Sequence, residues 1–309
     1  MFLRPVFGNM SQAAKLLLLL MILAIGALLS TGLTFLAASW IWGNDALNSL
    51  TANDTHGKLN LLRMMQIISQ AGIFILPVLL FAWFTESKPL KYLGFVKPLP
   101  LQFIIALLII PVAGPLINEL VQWNESLRLP QALHGLETWM KTSEESANRL
   151  TEEFLKAPGW NTLWVNVLMI GILPAIGEEL LFRSVLIGFM RKYFKGSFWP
   201  VIISSLIFSA IHLQFYGFLP RFVLGVILGY LFVWSGSIWL PILAHFVNNV
   251  SVVIISFLYY NHHISSSPET IGQASEWPWV MLSVILTLGL LMVVRNLRSG
   301  RSQSFWRNL

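Results

Sequence analysis

Eight apolar runs, most of them long enough to cross the ~30 Å hydrocarbon core of a bilayer, decide what this chain can become. They lie at roughly 16–42, 61–84, 101–123, 161–190, 198–215, 219–235, 237–260 and 277–295. Only 11% of the 309 residues are charged and 56% are hydrophobic, where a soluble domain carries about 25% charged residues. The expected fold class is all-α, a polytopic membrane protein of about eight transmembrane helices. Its core is the helix bundle itself and its first partner is the lipid bilayer. The first run exceeds the length of a signal-peptide h-region and reads as a retained helix. With no cysteine there are no disulfides and no cysteine-based zinc or nucleophile chemistry.

The net charge of +6 does not point to nucleic acid. The basic residues sit beside helix ends, and no basic stripe interleaved with aromatics is present. Their distribution gives an orientation instead. Twelve basic residues (Arg4, Lys15, Lys88, Lys91, Lys97, Arg191, Lys192, Lys195, Arg295, Arg298, Arg301, Arg307) fall in alternate connections with one acid, Glu86. The opposite connections hold ten acids and seven basic residues. Both termini are expected in the cytoplasm, and compact loops without a targeting sequence suggest a bacterial cytoplasmic membrane. Residues 124–160 form the long polar segment of the chain. Leu136, Met140, Leu150 and Phe154 recur there among Glu, Lys and Ser, as in an amphipathic helix on the outer surface. It is read as a solvated connecting helix, with a substrate-gating lid as the alternative.

Three short patterns place ionisable groups inside these apolar runs, where such groups are costly and rare. They are Glu178-Glu179-x-x-x-Arg183, Phe208-x-x-x-His212 and His245-x-x-x-Asn249. At helical spacing Glu179 and Arg183 share one face and can form an ion pair. Glu178 points about 100° away, without that partner, and is the acid free to serve water as a general base. His212 lies one turn beyond Phe208. His245 shares a face with Asn249, while the adjacent Asn248 is turned away. Taken singly, each pattern reads as an ion-pair lock, a hydrogen-bonded core histidine or helix–helix glue. Their conjunction in three neighbouring spans reads as a site that holds and activates water. Rise per residue puts all three groups within one or two helix turns of a common depth.

At these residues the chain resembles the CPBP family of CAAX-processing proteases and bacteriocin-processing enzymes, also called Rce1-like. That family carries E-E-x-x-x-R, F-x-x-x-H and H-x-x-x-N/D in successive membrane helices. The local string Pro174-Ala175-Ile176-Gly177-Glu178-Glu179-Leu180-Leu181-Phe182-Arg183 is the most specific part. The resemblance implies an intramembrane endopeptidase with Glu178 as general base and His212 holding water and shuttling protons. His245 and Asn249 would complete the site, Asn249 and His245 facing the oxyanion. Glu179, Arg183 and Phe208 would be supporting residues. It also implies a peptide or membrane-protein substrate, of CaaX-tail or leader and bacteriocin type. No metal is expected. If zinc is used, its ligands would be Glu178, His212 and His245, although the H-E-x-x-H arrangement is absent. Three regions follow: an N-terminal transmembrane region over 1–159, a catalytic core over 160–255, and a last helix with a basic tail over 256–309. Two other readings are a non-enzymatic membrane scaffold or self-immunity protein on the same fold, and a proton-coupled transporter using Glu178 and His212.

Other features are discounted. Gly225-x-x-x-Gly229 reads as helix packing, Pro111 and Pro115 as kinks, and Asn118, Glu119 and Gln122 as interfacial capping. His262-His263 reads as a solvated turn, and the thirteen Trp as interfacial belts.

Overall fold

The computed structural model describes residues 5–43, 55–156, 158–268, 270–271 and 276–297. Arg4, Arg298, Arg301 and Arg307, and Asp45, Asp54 and Glu269 among the ten acids counted on the opposite side, lie outside the described residues. Among the described residues there is no strand. Seven helices among the described residues are long and apolar enough to cross a membrane, by length and composition. They are α1 (Gln12–Trp42), α2 (Lys58–Thr85), α3 (Pro100–Ser126), α5 (Trp160–Met190), α7 (Phe218–Ser235), α8 (Trp239–Tyr260) and α9 (Trp277–Asn296). The eighth expected span is a shorter apolar helix, α6 (Phe198–Ala210). The polar segment forms an amphipathic helix, α4 (His134–Lys156). The chain is thus a polytopic, integral membrane protein.

Polar and apolar groups are arranged inside out relative to a water-soluble bundle. Leu17, Leu20, Met21, Leu28, Leu29, Leu33 and Leu36 of α1 are all exposed, whereas Glu179 and Arg183 at the bundle centre are fully buried. Lipid is as apolar as leucine, so apolar side chains gain little by turning inward, and close packing and hydrogen bonds hold the helices together. One apolar cluster joins α2, α5 and α7 through Val78, Phe81, Leu180, Ile187 and Phe232. A second joins α3, α7, α8 and α9 through Ile109, Leu228, Leu240 and Leu291. Gly225 and Gly229 face α6: a Cβ at Gly225 would lie 3.0 Å from Ser205 Cβ, and one at Gly229 2.8 Å from a Val201 methyl. The spacing read as packing in the sequence does pack.

The two ends of the bundle are each tied by cross-contacts. At one end Lys15 pairs with Glu86 at 3.1 Å. Ser184 Oγ donates to Leu93 C=O at 2.6 Å, and Ile238 N–H donates to Gly94 C=O at 2.8 Å. At the other, Asn124 Nδ2 donates to Phe215 C=O at 2.9 Å, and Tyr216 N–H donates to Glu144 Oε2 at 2.8 Å.

Three stretches depart from α-helical spacing. Gln70–Ile75 in α2 and Val167–Ile172 and Leu180–Ile187 in α5 are π-helical. Each of the first two runs into a proline, Pro77 or Pro174. Proline has no N–H to give the carbonyl four residues back, and a widened turn is one way the helix absorbs that loss. Between them Gly177 lets α5 approach α2. A Cβ there would sit 2.7 Å from Phe74 Cβ.

Candidate active site

The four candidate side chains, Glu178, His212, His245 and Asn249, converge on one cavity, together with Phe208. Glu179 is fully buried and divides its carboxylate between two partners. Its Oε2 lies 3.0 Å from Arg183 Nε, and its Oε1 accepts the Nδ1–H of His245 at 2.8 Å. A carboxylate cannot donate once ionised, so the proton of this second bond belongs to the imidazole. In the neutral ring this leaves Nε2 without a proton, and Nε2 faces Glu178, whose Oε2 is 3.9 Å away. The Arg183 guanidinium also lies over the Phe208 ring, 4.5 Å from its centroid. Phe208 meets both His212 and His245 edge-on, at 5.1 and 5.9 Å between centroids. One aromatic ring thus locates the arginine and both histidines.

His212 does not lie within a helix, as its spacing from Phe208 suggested. The helix ends at Ala210, and His212 sits in the turn that follows. Its Nδ1–H donates to Phe208 C=O at 2.7 Å, again leaving Nε2 without a proton in the neutral ring. The next residue, Leu213, has φ of 54°, a left-handed conformation that a branched side chain rarely takes. Such strain at a candidate site is held by its surroundings. Ser209 Oγ donates to Phe218 C=O at 2.6 Å and closes the same turn.

Asn249 donates from Nδ2 to Ile170 C=O at 2.9 Å. Ile170 stands four residues before Pro174, so its carbonyl lacks the usual helical donor and takes the asparagine instead. Asn248, expected to turn away, is part of the same network: its Nδ2 donates to Asn249 Oδ1 at 3.0 Å.

These groups border a cavity of about 330 Å³ lined by Glu178, His212, His245, Asn248, Asn249, Pro174 and Phe208. Gln66, Gln70, Thr151, Phe154 and Arg221 line it as well. None of those five was singled out as a site residue. A signal was available for Arg221 alone, a charge in the first turn of an apolar helix. It is anchored by Gln214, whose Oε1 accepts from Nη2 at 2.6 Å. Gln70 Oε1 is buried without a hydrogen-bond partner among the described residues. The features discounted earlier stay apart from the cavity: Asn118 Nδ2 reaches Ile271 C=O at 3.4 Å, and His262 and His263 form the turn after α8.

With both Nδ1 positions bound to acceptors, the two imidazoles in their neutral form present bare nitrogens beside a carboxylate. That arrangement suits a bound water; as placed, no three His, Asp or Glu side chains among the described residues stand close enough together to hold a metal ion.

The stretch of chain that carries Glu178, His212, His245 and Asn249 is similar to known proteins. Residues 160–251 match the family model described as type II CAAX prenyl endopeptidase Rce1-like. A membrane-embedded CAAX protease, MroQ, of Staphylococcus aureus is 31% identical over 116 residues, covering 36% of this chain and 43% of that protein. A putative membrane peptidase, YdiL, of Bacillus subtilis is 32% identical over 89 residues, covering 29% and 36%. An uncharacterized 24.3 kDa protein of Escherichia coli is 33% identical over 85 residues, covering 26% and 39%. The matches thus span less than half the length of these relatives. No solved structure matches. Most of the residues that line the cavity fall within the stretch that is similar to the Rce1-like model, residues 160–251.

Proposed function

We propose that this protein is an endopeptidase of the bacterial cytoplasmic membrane that hydrolyses a peptide bond with water activated by Glu178. The observation that carries the reading is His245 held between two glutamates at the cavity wall, 2.8 Å from Glu179 and 3.9 Å from Glu178. Glu179 is committed to Arg183 and His245; Glu178 is the carboxylate left to face the cavity. Water between Glu178 and the His212 Nε2 attacks the scissile carbonyl carbon while Glu178 takes its proton. The carbonyl oxygen becomes the oxyanion, faced by the second N–H of Asn249 and by the Arg221 guanidinium. As the C–N bond breaks, the proton passes to the leaving amine, with His245 Nε2 as the relay. His245 has no proton on Nε2 until it takes one, so its donor role follows the attack. Substrates of CaaX-tail type and of leader or bacteriocin type both fit this chemistry, and the relatives named as CAAX protease and membrane peptidase support hydrolysis as the class.

Zinc is the alternative way to activate the water. Glu178, His212 and His245 would have to draw closer together to hold it, and the ion would lower the pKa of its water. Undiminished turnover after metal removal supports the glutamate route. Stoichiometric zinc lost in His212→Ala would replace it.

The deciding experiment compares protein termini by mass spectrometry in cells expressing the wild type or Glu178→Gln at equal membrane levels. New termini that vanish in Glu178→Gln establish proteolysis and identify the substrate. Turnover in the variant should fall by about 10²–10⁴-fold, the usual contribution of a general base. Identical termini would shift the reading to a scaffold or self-immunity protein.

A further inference from the structure

We infer that the cavity opens on the non-cytoplasmic face of the membrane, beneath α4, and that its substrates are peptide segments presented from that face. The substrate half rests on the peptidase reading above; the orientation does not.

The first observation is the separation of charge between the two tied ends. The connections at 86–99 and 191–197 carry Lys88, Lys91, Lys97, Arg191, Lys192 and Lys195 with Glu86 as their acid. The structure places them at one end. Ser237 Oγ, in the turn after α7, donates to Val96 C=O at 2.5 Å. Arg191 Nη1 donates to Ser197 Oγ at 3.1 Å across the α5–α6 turn. A lysine- and arginine-rich end of this kind stays in the cytoplasm.

The second observation is that the cavity lies toward the other end. Thr151 and Phe154 reach it from α4, Arg221 from the first turn of α7, and His212 from the turn between α6 and α7. Toward the basic end it is closed. Leu180, Phe182, Arg183 and Ile187, which follow Glu178 on α5 in that direction, are all 3% exposed or less, and none of them lines the cavity.

The third is the length of α6. Its 13 residues cover about 20 Å, some 10 Å short of the hydrocarbon thickness. The turn at 211–217 therefore sits below the membrane boundary on the cavity side. Irregular backbone at such depth is tolerated where it is covered by protein or lines a water-filled space. Here α4 supplies the cover. Asn148 Oδ1 accepts from Gln214 Nε2 at 3.3 Å, Glu144 accepts the Tyr216 N–H, and Trp139 packs on Phe215 with centroids 5.4 Å apart. A peptide arriving from the α4 side meets a short descent to Glu178. One arriving from the basic side meets closed packing.

The chain has no cysteine, so single thiols report accessibility without background. Asn148→Cys on α4 and Lys195→Cys at the basic end are both at exposed positions. Each is treated in intact spheroplasts with a membrane-impermeant maleimide, with labelling in detergent and denaturant as the maximum. We expect Asn148→Cys to label at least tenfold more than Lys195→Cys, and Lys195→Cys to reach its maximum after permeabilisation. Labelling of Lys195→Cys in intact spheroplasts, with Asn148→Cys protected, overturns the orientation. The Glu178→Gln background should give the same pattern, since labelling needs no catalysis. Substrate termini that depend on Glu178 should then fall in non-cytoplasmic segments. Termini in cytoplasmic segments overturn the substrate half, whereas unchanged termini defeat the peptidase reading and leave the orientation standing.

Discussion

Glu179 serves two neighbours with one carboxylate, and both would be stranded without it. Arg183 is fully buried, and Glu179 is the anion paired with it. Removing one partner of a buried pair leaves an uncompensated charge and costs about 3–5 kcal/mol. Glu179→Gln should therefore lower the detergent melting temperature sharply. Glu179→Gln combined with Arg183→Met should recover most of the melting temperature yet restore no cleavage, because the Nδ1–H of His245 no longer meets a charged acceptor. Melting curves and substrate processing on the same preparations separate the two effects. The i,i+4 link from Glu179 to Arg183 was legible in the sequence, since helical spacing alone brings them together. The link from Glu179 to His245 was not, because 66 residues separate them and only the bundle closes that gap.

At the scale of elements, apolar length revealed the helices and concealed their irregularities. A π-turn adds a residue without changing composition, so hydropathy reads straight through it. Pro174 gave the one visible hint, and its consequence lies on another helix: Ile170 C=O turns to Asn249 on α8. Pro174→Ala should return an N–H to that carbonyl and loosen Asn249 while α5 stays helical. The expected result is cleavage reduced by about 10²-fold, comparable to removing one oxyanion donor, with unchanged helicity and melting by circular dichroism. Full activity in Pro174→Ala would separate the proline from the placement of Asn249. Apolarity also carried span five through to residue 215, whereas the helix stops at Ala210 and the remainder is turn. His212, Leu213 and Gln214 there serve the cavity and α4 in place of helix continuation. The amphipathic period of α4 was readable, but its packing across the cavity mouth depends on partners in the 211–217 turn that no local pattern announces.

Between its charged ends the molecule buries Glu178, Glu179, Arg183 and His245 and turns most of the leucines of α1 outward to lipid, so the solvent that matters most for its stability is hydrocarbon. Its spans are unequal, and the shortest, α6, presents Leu206 and Ile207 outward, with Ile211 exposed in the turn that follows. A short apolar surface next to long ones creates hydrophobic mismatch: acyl chains beside α6 must compress, or water and headgroups must sink toward residue 212. Local thinning there brings the polar interface closer to Glu178 than elsewhere around the bundle. Bilayer thickness then becomes a variable of the reaction. Reconstituted into lipids of increasing acyl length, the protein should lose turnover progressively while its fold, read by melting, holds or improves. Turnover indifferent to acyl length would show that α4 and the 211–217 turn shield the dip completely. If turnover does fall, the membrane next to α6 acts as an adjustable wall of the cavity, and lipid composition sets how far a substrate must leave water to be cut.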